Sequence, residues 1–184
     1  MRTARLVVAH TWEGAPVAED EWAVLDLALG AGDLRVDVDA PWHGDPPPPG
    51  APGPTPGLWE FEVVELFLLG DRERYLELEL GPHGHHLALQ LRGRRNVEAQ
   101  GAQLAYTAER RGARWRGRAR VPRAWLPPGL RAANAYALHG AGRERRHLAA
   151  QPVPGPAPDF HRLDCFRPLG WGPDRPKSVP RRNT

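Results

Sequence analysis

The sequence predicts an all-β protein, an antiparallel sandwich or jelly roll. Three observations carry that expectation. Residues 58–93 hold three apolar-rich runs separated by short turn-like breaks. In the middle run, Leu76, Leu78 and Leu80 alternate with Tyr75, Glu77 and Glu79; period two buries one face and turns the other toward water or a ligand. Residues 114–121 alternate as cleanly, with Trp115, Gly117, Ala119 and Val121 facing in and Arg114, Arg116, Arg118 and Arg120 facing out. The chain also carries 21 prolines and 20 glycines in 184 residues, and both residue types break helices.

Residues 6–9 read as an opening strand. Residues 22–29 alternate, with Leu25, Leu27 and Leu29 on one face, and residues 30–33 (Gly-Ala-Gly-Asp) make a turn. Leu34, Val36 and Val38 then return to the core, completing a hairpin. Residues 41–57 contain eight prolines and form a stiff extended loop. The loop belongs within the domain, because the two or three strands before it are too few for a core of their own. The first run of the meander, residues 59–69 taken as one strand, puts Trp59, Phe61, Val63, Glu65, Phe67 and Leu69 on one face. Residues 75–80 and 86–92 complete a β-meander. Residues 102–109 are a weaker strand. Residues 122–128 are a turn or one short helical turn, and residues 134–138 and 146–150 are further strands. The domain spans residues 1–167. Residues 168–184 are basic and proline-rich and are expected to fray.

Composition excludes several classes. One domain of this length has room for a real core. Of 25 basic residues 24 are arginine, and the net charge is only +3. A nucleic-acid protein clusters its charge more strongly, and base stacking would need exposed aromatics beside the 114–120 arginine row, where Tyr106 alone is poor support. Nucleic acid is therefore disfavoured. Cys165 is the single cysteine, so an internal disulfide and a cysteine-based zinc site are excluded. Ser178 is the single serine, and no Gly-x-Ser-x-Gly, GxxxxGK or GxGxxG occurs. Met1 is the single methionine, which argues against a His/Met haem. No apolar run nears the roughly 20 residues needed to span a bilayer, and the N-terminal apolar part is short for a signal peptide. The expected location is intracellular and cytoplasmic.

Several motifs run in one order along the chain: HTWEG (10–14), DAPWHGDPPPP (39–49), LWEFEVVELFLL (58–69), NAYALHG (134–140), PVP (152–154) and PDFHRLDCF (158–166). On these the chain resembles an uncharacterised protein family whose human member is named only as a chromosome 4 open reading frame. The 58–69 run, WRGRARVP (115–122) and FHRLDCF (160–166) are also similar, at pattern level, to the family 9 carbohydrate-binding modules. That second resemblance implies a β-sandwich and a sugar ligand.

The candidate site residues follow from chemistry. Trp12 and Trp42 sit in loop-like surroundings beside His10, His43 and Asp45, where an exposed indole can stack on a sugar face. Trp59 and Trp115, on strands, are expected in the core. Glu65 lies among aromatics and must be paired, protonated or exposed in a cleft. Glu62, Glu77 and Glu79 are read as solvated strand glutamates. His83, His86, His139 and His161 with Asp159 are weak metal candidates against a default of turn-capping and packing. Cys165 is read as a packed thiol. The expectation is a non-enzymatic carbohydrate- or polyol-binding module using Trp12, Trp42, His10, Glu62, Glu65 and His83. It requires no cofactor, although a bound metal ion fits. The alternatives are a metal-dependent hydrolase acting on a small or sugar substrate, and a protein-interaction module docking through the 41–57 loop.

Overall fold

The computed structural model describes residues 1–173, and these form two antiparallel sheets. In chain order the strands are β1 (Arg2–Val8), β2 (His10–Thr11), β3 (Ala23–Leu29), β4 (Asp33–Pro41), β5 (Val63–Leu69), β6 (Arg74–Leu80) and β7 (His86–Arg92). There follow β8 (Val97–Gln100), β9 (Ala105–Arg111), β10 (Arg114–Pro122), β11 (Ala132–His139), β12 (Arg146–Ala149), β13 (Arg167–Pro168) and β14 (Gly172–Pro173). The first sheet has the order β14-β1-β3-β4-β10-β9. The second runs β2-β12-β11-β5-β6-β7-β8, with β13 also paired to β11. The only helical pieces among the described residues are three-residue 3-10 turns.

Alternation decides which faces meet. Leu25, Leu27, Val36 and Val38 of the first sheet pack on Leu66, Leu68, Leu76 and Leu78 of the second. On β10 the inward set expected from sequence is buried, with Trp115 filling the centre. Gly117 is required there: a Cβ would sit 2.8 Å from the Tyr106 hydroxyl and 2.9 Å from the Trp115 ring. The outward arginines reach β4 aspartates, Arg116 and Arg118 lying directly opposite theirs. Arg116 pairs with Asp39, Arg118 with Asp37 and Arg120 with Asp33. Their partners are thus aspartates of the same sheet. Exposed pairs of this kind contribute roughly 0–1 kcal/mol each.

The second sheet departs from the sequence expectation. All seven residues of β5 are buried, and β6 is buried on both faces after Arg74. Its outer face is roofed by residues 57–62 and 150–166, forming a second apolar cluster with Phe67, Tyr75, Tyr136 and Phe166. Specific bonds hold the roof. Asn134 donates to the Gln151 carbonyl and accepts from the Gln151 amide. Tyr136 stacks on Phe160 at 3.8 Å. Arg145 donates to the carbonyls of Gly140, Trp59 and Phe61.

Two boundaries also differ. The 59–69 run does not form one strand: Gly57 takes φ 77°, residues 58–60 make a 3-10 turn, and β5 starts at Val63. Residues 168–173 do not fray. Leu169 packs in the core and its amide donates to Arg131, while β14 pairs with β1. The rest of the basic segment lies outside the described residues.

Candidate functional site

The outer face of the second sheet holds the most unusual chemistry. Glu65 and Glu79 are cross-strand partners on β5 and β6, and Glu77 follows Glu79 on the same face. Strand alternation therefore aims three carboxyls into one space. Oxygens from the three lie within 4.8 Å of one another, and all three residues are buried. This corrects the reading of Glu77 and Glu79 as solvated: the roof covers the face that alternation alone leaves open. Glu79 is 0% exposed. Neither of its oxygens, nor Oε2 of Glu77, makes a hydrogen bond of standard geometry, although the Trp59 backbone and the Glu77 carboxyl lie close to Glu79.

Burial and mutual repulsion set the titration. Burial lifts Glu79 to about 10, with the Glu65 and Glu77 charges adding to it and the Trp59 backbone working the other way. Burial lifts Glu77 to about 7. Burial, then Glu77, pushes Glu65 well up, opposed by the Arg145 charge. The Nε2 of His161 stands 3.9 Å from Glu77, and its Nδ1 is 2.8 Å from the Tyr75 hydroxyl. Burial, reinforced by Arg95 and Arg94, pulls His161 down to about 4, so its ring is neutral. Burial pushes Tyr75 up to about 12.

Trp59 lies beside this cluster and corrects a second expectation. Its indole is 44% exposed, because it sits on the 3-10 turn before β5 and not on the strand. Its Nε1 donates to Glu60. Arg145 clamps the backbone carbonyl of Trp59 within that turn and that of Phe61 just after it. Arg145 was missed from sequence, because the segment around it has no periodicity.

The other predicted residues fall into separate places. Trp42 is half-buried, with the Arg110 guanidinium 4.9 Å over its ring and His83 against its edge. Its faces are occupied by protein, and it packs on the inter-sheet core. Glu62 accepts the backbone amides of His43 and Asp45, fixing the start of the proline loop. His43 stacks face to face on His139 at 3.4 Å, and burial followed by the His43 charge pulls His139 down to about 4. Trp12 packs half-buried on the outer cluster and does not meet Trp42. His10 lines a separate cleft of about 560 Å³ between β1 and β11.

The histidine candidates for a metal do not converge. His86 Nε2 accepts the Leu104 amide. Asp159 is paired with Arg94 and Arg95. Among the described residues, the group whose ligand atoms come together is the three glutamates. Cys165 is free and half-buried, and burial, followed by Asp164, raises its thiol.

Comparison with known proteins fits this frame. No family model matches the chain. In structure the chain is similar to a Bacteroides uniformis protein described as a "putative carbohydrate-binding protein", with TM-score 0.67, 15% identity, and coverage of 89% of this chain and 83% of that one. It is also similar to a family 9 carbohydrate-binding module from Caldicellulosiruptor kristjanssonii in complex with glucose, at TM-score 0.48 and 14% identity, covering 98% and 87%. No helix among the described residues is long and apolar enough to cross a membrane. In sequence it is 43% identical to the human UPF0462 protein C4orf33 over 173 residues, covering 89% of this chain and 86% of the human protein. The Mus musculus homologue is 42% identical over 89% of this chain and 90% of its own length. The chain therefore belongs to the UPF0462 (C4orf33) family.

Proposed function

We propose that this protein is a non-enzymatic carbohydrate- or polyol-binding module whose stacking platform is Trp59. One observation carries the reading. An exposed indole stands on the roof of the sheet that holds the buried carboxyls, on a turn braced by an arginine. Aromatic faces stack on the C–H surfaces of sugars, and nearby polar groups orient the hydroxyls. Of the large apolar side chains that remain exposed, Trp59 is the one aromatic among the described residues. Its backbone is fixed by the Gly57 turn and the Arg145 clamp, which lowers the ordering cost of binding. The Bacteroides uniformis neighbour, described in terms of carbohydrate binding, shares the fold and supports the reading. The site residues proposed are Trp59, Glu60 and Arg145, with Glu65 buried beneath them. Trp42 and Glu62 act in this reading as supports for the proline loop.

The test is calorimetric titration of soluble oligosaccharides chosen by a thermal-shift screen. Trp59→Ala is expected to weaken binding at least tenfold with the melting temperature nearly unchanged. Trp42→Ala is expected to retain affinity in whatever fraction stays folded. Full affinity in Trp59→Ala overturns the site.

A further inference from the structure

We propose that Glu65, Glu77 and Glu79 form a buried binding site for one divalent cation of calcium size. The proposal does not rest on the sugar reading. Geometry supplies the first argument. Three ligand oxygens within 4.8 Å of one another can share an ion no farther than about 2.8 Å from each. Calcium accepts flexible, carboxylate-rich oxygen coordination at about 2.3–2.6 Å, whereas magnesium demands near-ideal octahedral geometry at about 2.0–2.1 Å and gives up its water reluctantly, so three carboxylates in a buried space favour calcium.

The second argument is separate from the clustering. Glu79 is wholly buried, its carboxyl is aimed into the cluster, and neither oxygen makes a hydrogen bond of standard geometry, the Glu77 carboxyl and the Trp59 backbone being near neighbours only. Buried polar groups without partners are rare and costly, and a cation satisfies both oxygens at once. Charge supplies the third. Three carboxylates, a divalent ion and the neighbouring Arg145 guanidinium balance to neutrality. With no ion, the carboxyls of Glu65 and Glu79 stand directly opposite across two strands, where like charges repel. The donor set is all oxygen, the hard-ligand set that calcium and manganese prefer over softer ions.

The experiment uses the full chain stripped with a chelator and dialysed, with no saccharide present. Calcium, manganese and magnesium are titrated separately by calorimetry in two buffers of different ionisation enthalpy. One equivalent of calcium is expected to bind saturably and release protons, because carboxyls must ionise to coordinate. At a hundredfold excess over Kd the melting temperature should rise by about 5–10 °C. Magnesium should bind at least tenfold more weakly. Glu79→Gln, checked for folding by circular dichroism, should lose at least tenfold in calcium affinity, whereas surface Glu109→Gln should lose none. Absence of saturable calcium binding by the wild type, unchanged affinity in folded Glu79→Gln, or magnesium binding as tight as calcium overturns the proposal. Sugar binding is read separately, so failure here leaves the Trp59 site standing.

Discussion

Glu79→Gln in chelator-treated protein should stabilise the fold, although it removes a residue from the buried interior. Glutamine has nearly the same shape and cannot ionise. In the folded protein the Glu79 carboxyl is held at about 10, with burial as the first cause. In the unfolded chain it titrates near its ordinary 4.5. Between those values the folded state binds the extra proton, so wild-type stability falls as pH rises. At pH 7 the interval already crossed is about 2.5 units, equivalent to about 3 kcal/mol at 1.36 kcal/mol per unit. Glutamine avoids that loss. The variant should gain up to about 3 kcal/mol at pH 7 and nearly nothing at pH 4, where the unfolded wild type is also protonated. Urea unfolding at both pH values, with chelator present, measures the difference. A variant no more stable than wild type at pH 7, or a gain equal at both pH values, would refute the buried-carboxyl account.

Other outcomes follow from the same structure. Trp115→Ala should cost roughly 3–5 kcal/mol as a core deletion, because Trp115 is 1% exposed. Trp59→Ala should cost well under 1 kcal/mol in a denaturant melt, and a larger loss would place its ring inside the fold. His43 and His139 should both titrate below their ordinary range, since burial dominates each; His139 should fall near 4. For a histidine held down in the folded state, stability is present above about pH 6.5 and lost as pH falls toward 4. Partial solvation limits that loss to about 1–2 kcal/mol for His139, and an NMR-measured value at or above the ordinary 6.5 for either ring would contradict the stacked neutral pair. Arg116→Ala with Arg118→Ala should leave stability within about 1 kcal/mol and create no change in RNA binding, because both side chains serve exposed pairs with Asp39 and Asp37. Steeply salt-dependent RNA binding lost in that double variant would contradict the assignment.

The sandwich was legible because its strands alternate. The inward sets of β4, β6, β7 and β10 fall where the period places them. The roof was not legible. It consists of proline-interrupted segments without periodicity, and it is held by long-range bonds such as Asn134 to Gln151. A signal for it existed in β5: the Val63–Leu69 run, VVELFLL, scarcely alternates, the pattern of a strand buried on both faces. Trp59 was misplaced by carrying alternation back across Phe61 and Glu62, although Pro56-Gly57 marks a turn just before it. The partners of the arginine row needed the β4–β10 register, which sequence alone does not set. Trp42 illustrates a further limit. Its loop is extended and proline-rich as expected, yet Arg110 from β9 covers its ring.

The central claim is that Trp59 is the surface a sugar meets. The chain has seven tryptophans, so its indole Nε1–H region of a ¹H–¹⁵N spectrum holds one signal from each, and Trp59→Ala identifies the one that matters. Soluble oligosaccharides titrated into wild-type protein should shift the Trp59 signal progressively and saturably, leaving buried Trp115 in place. A panel that moves no indole signal, or one that moves Trp42 or Trp12 while Trp59 stays fixed, would contradict the account.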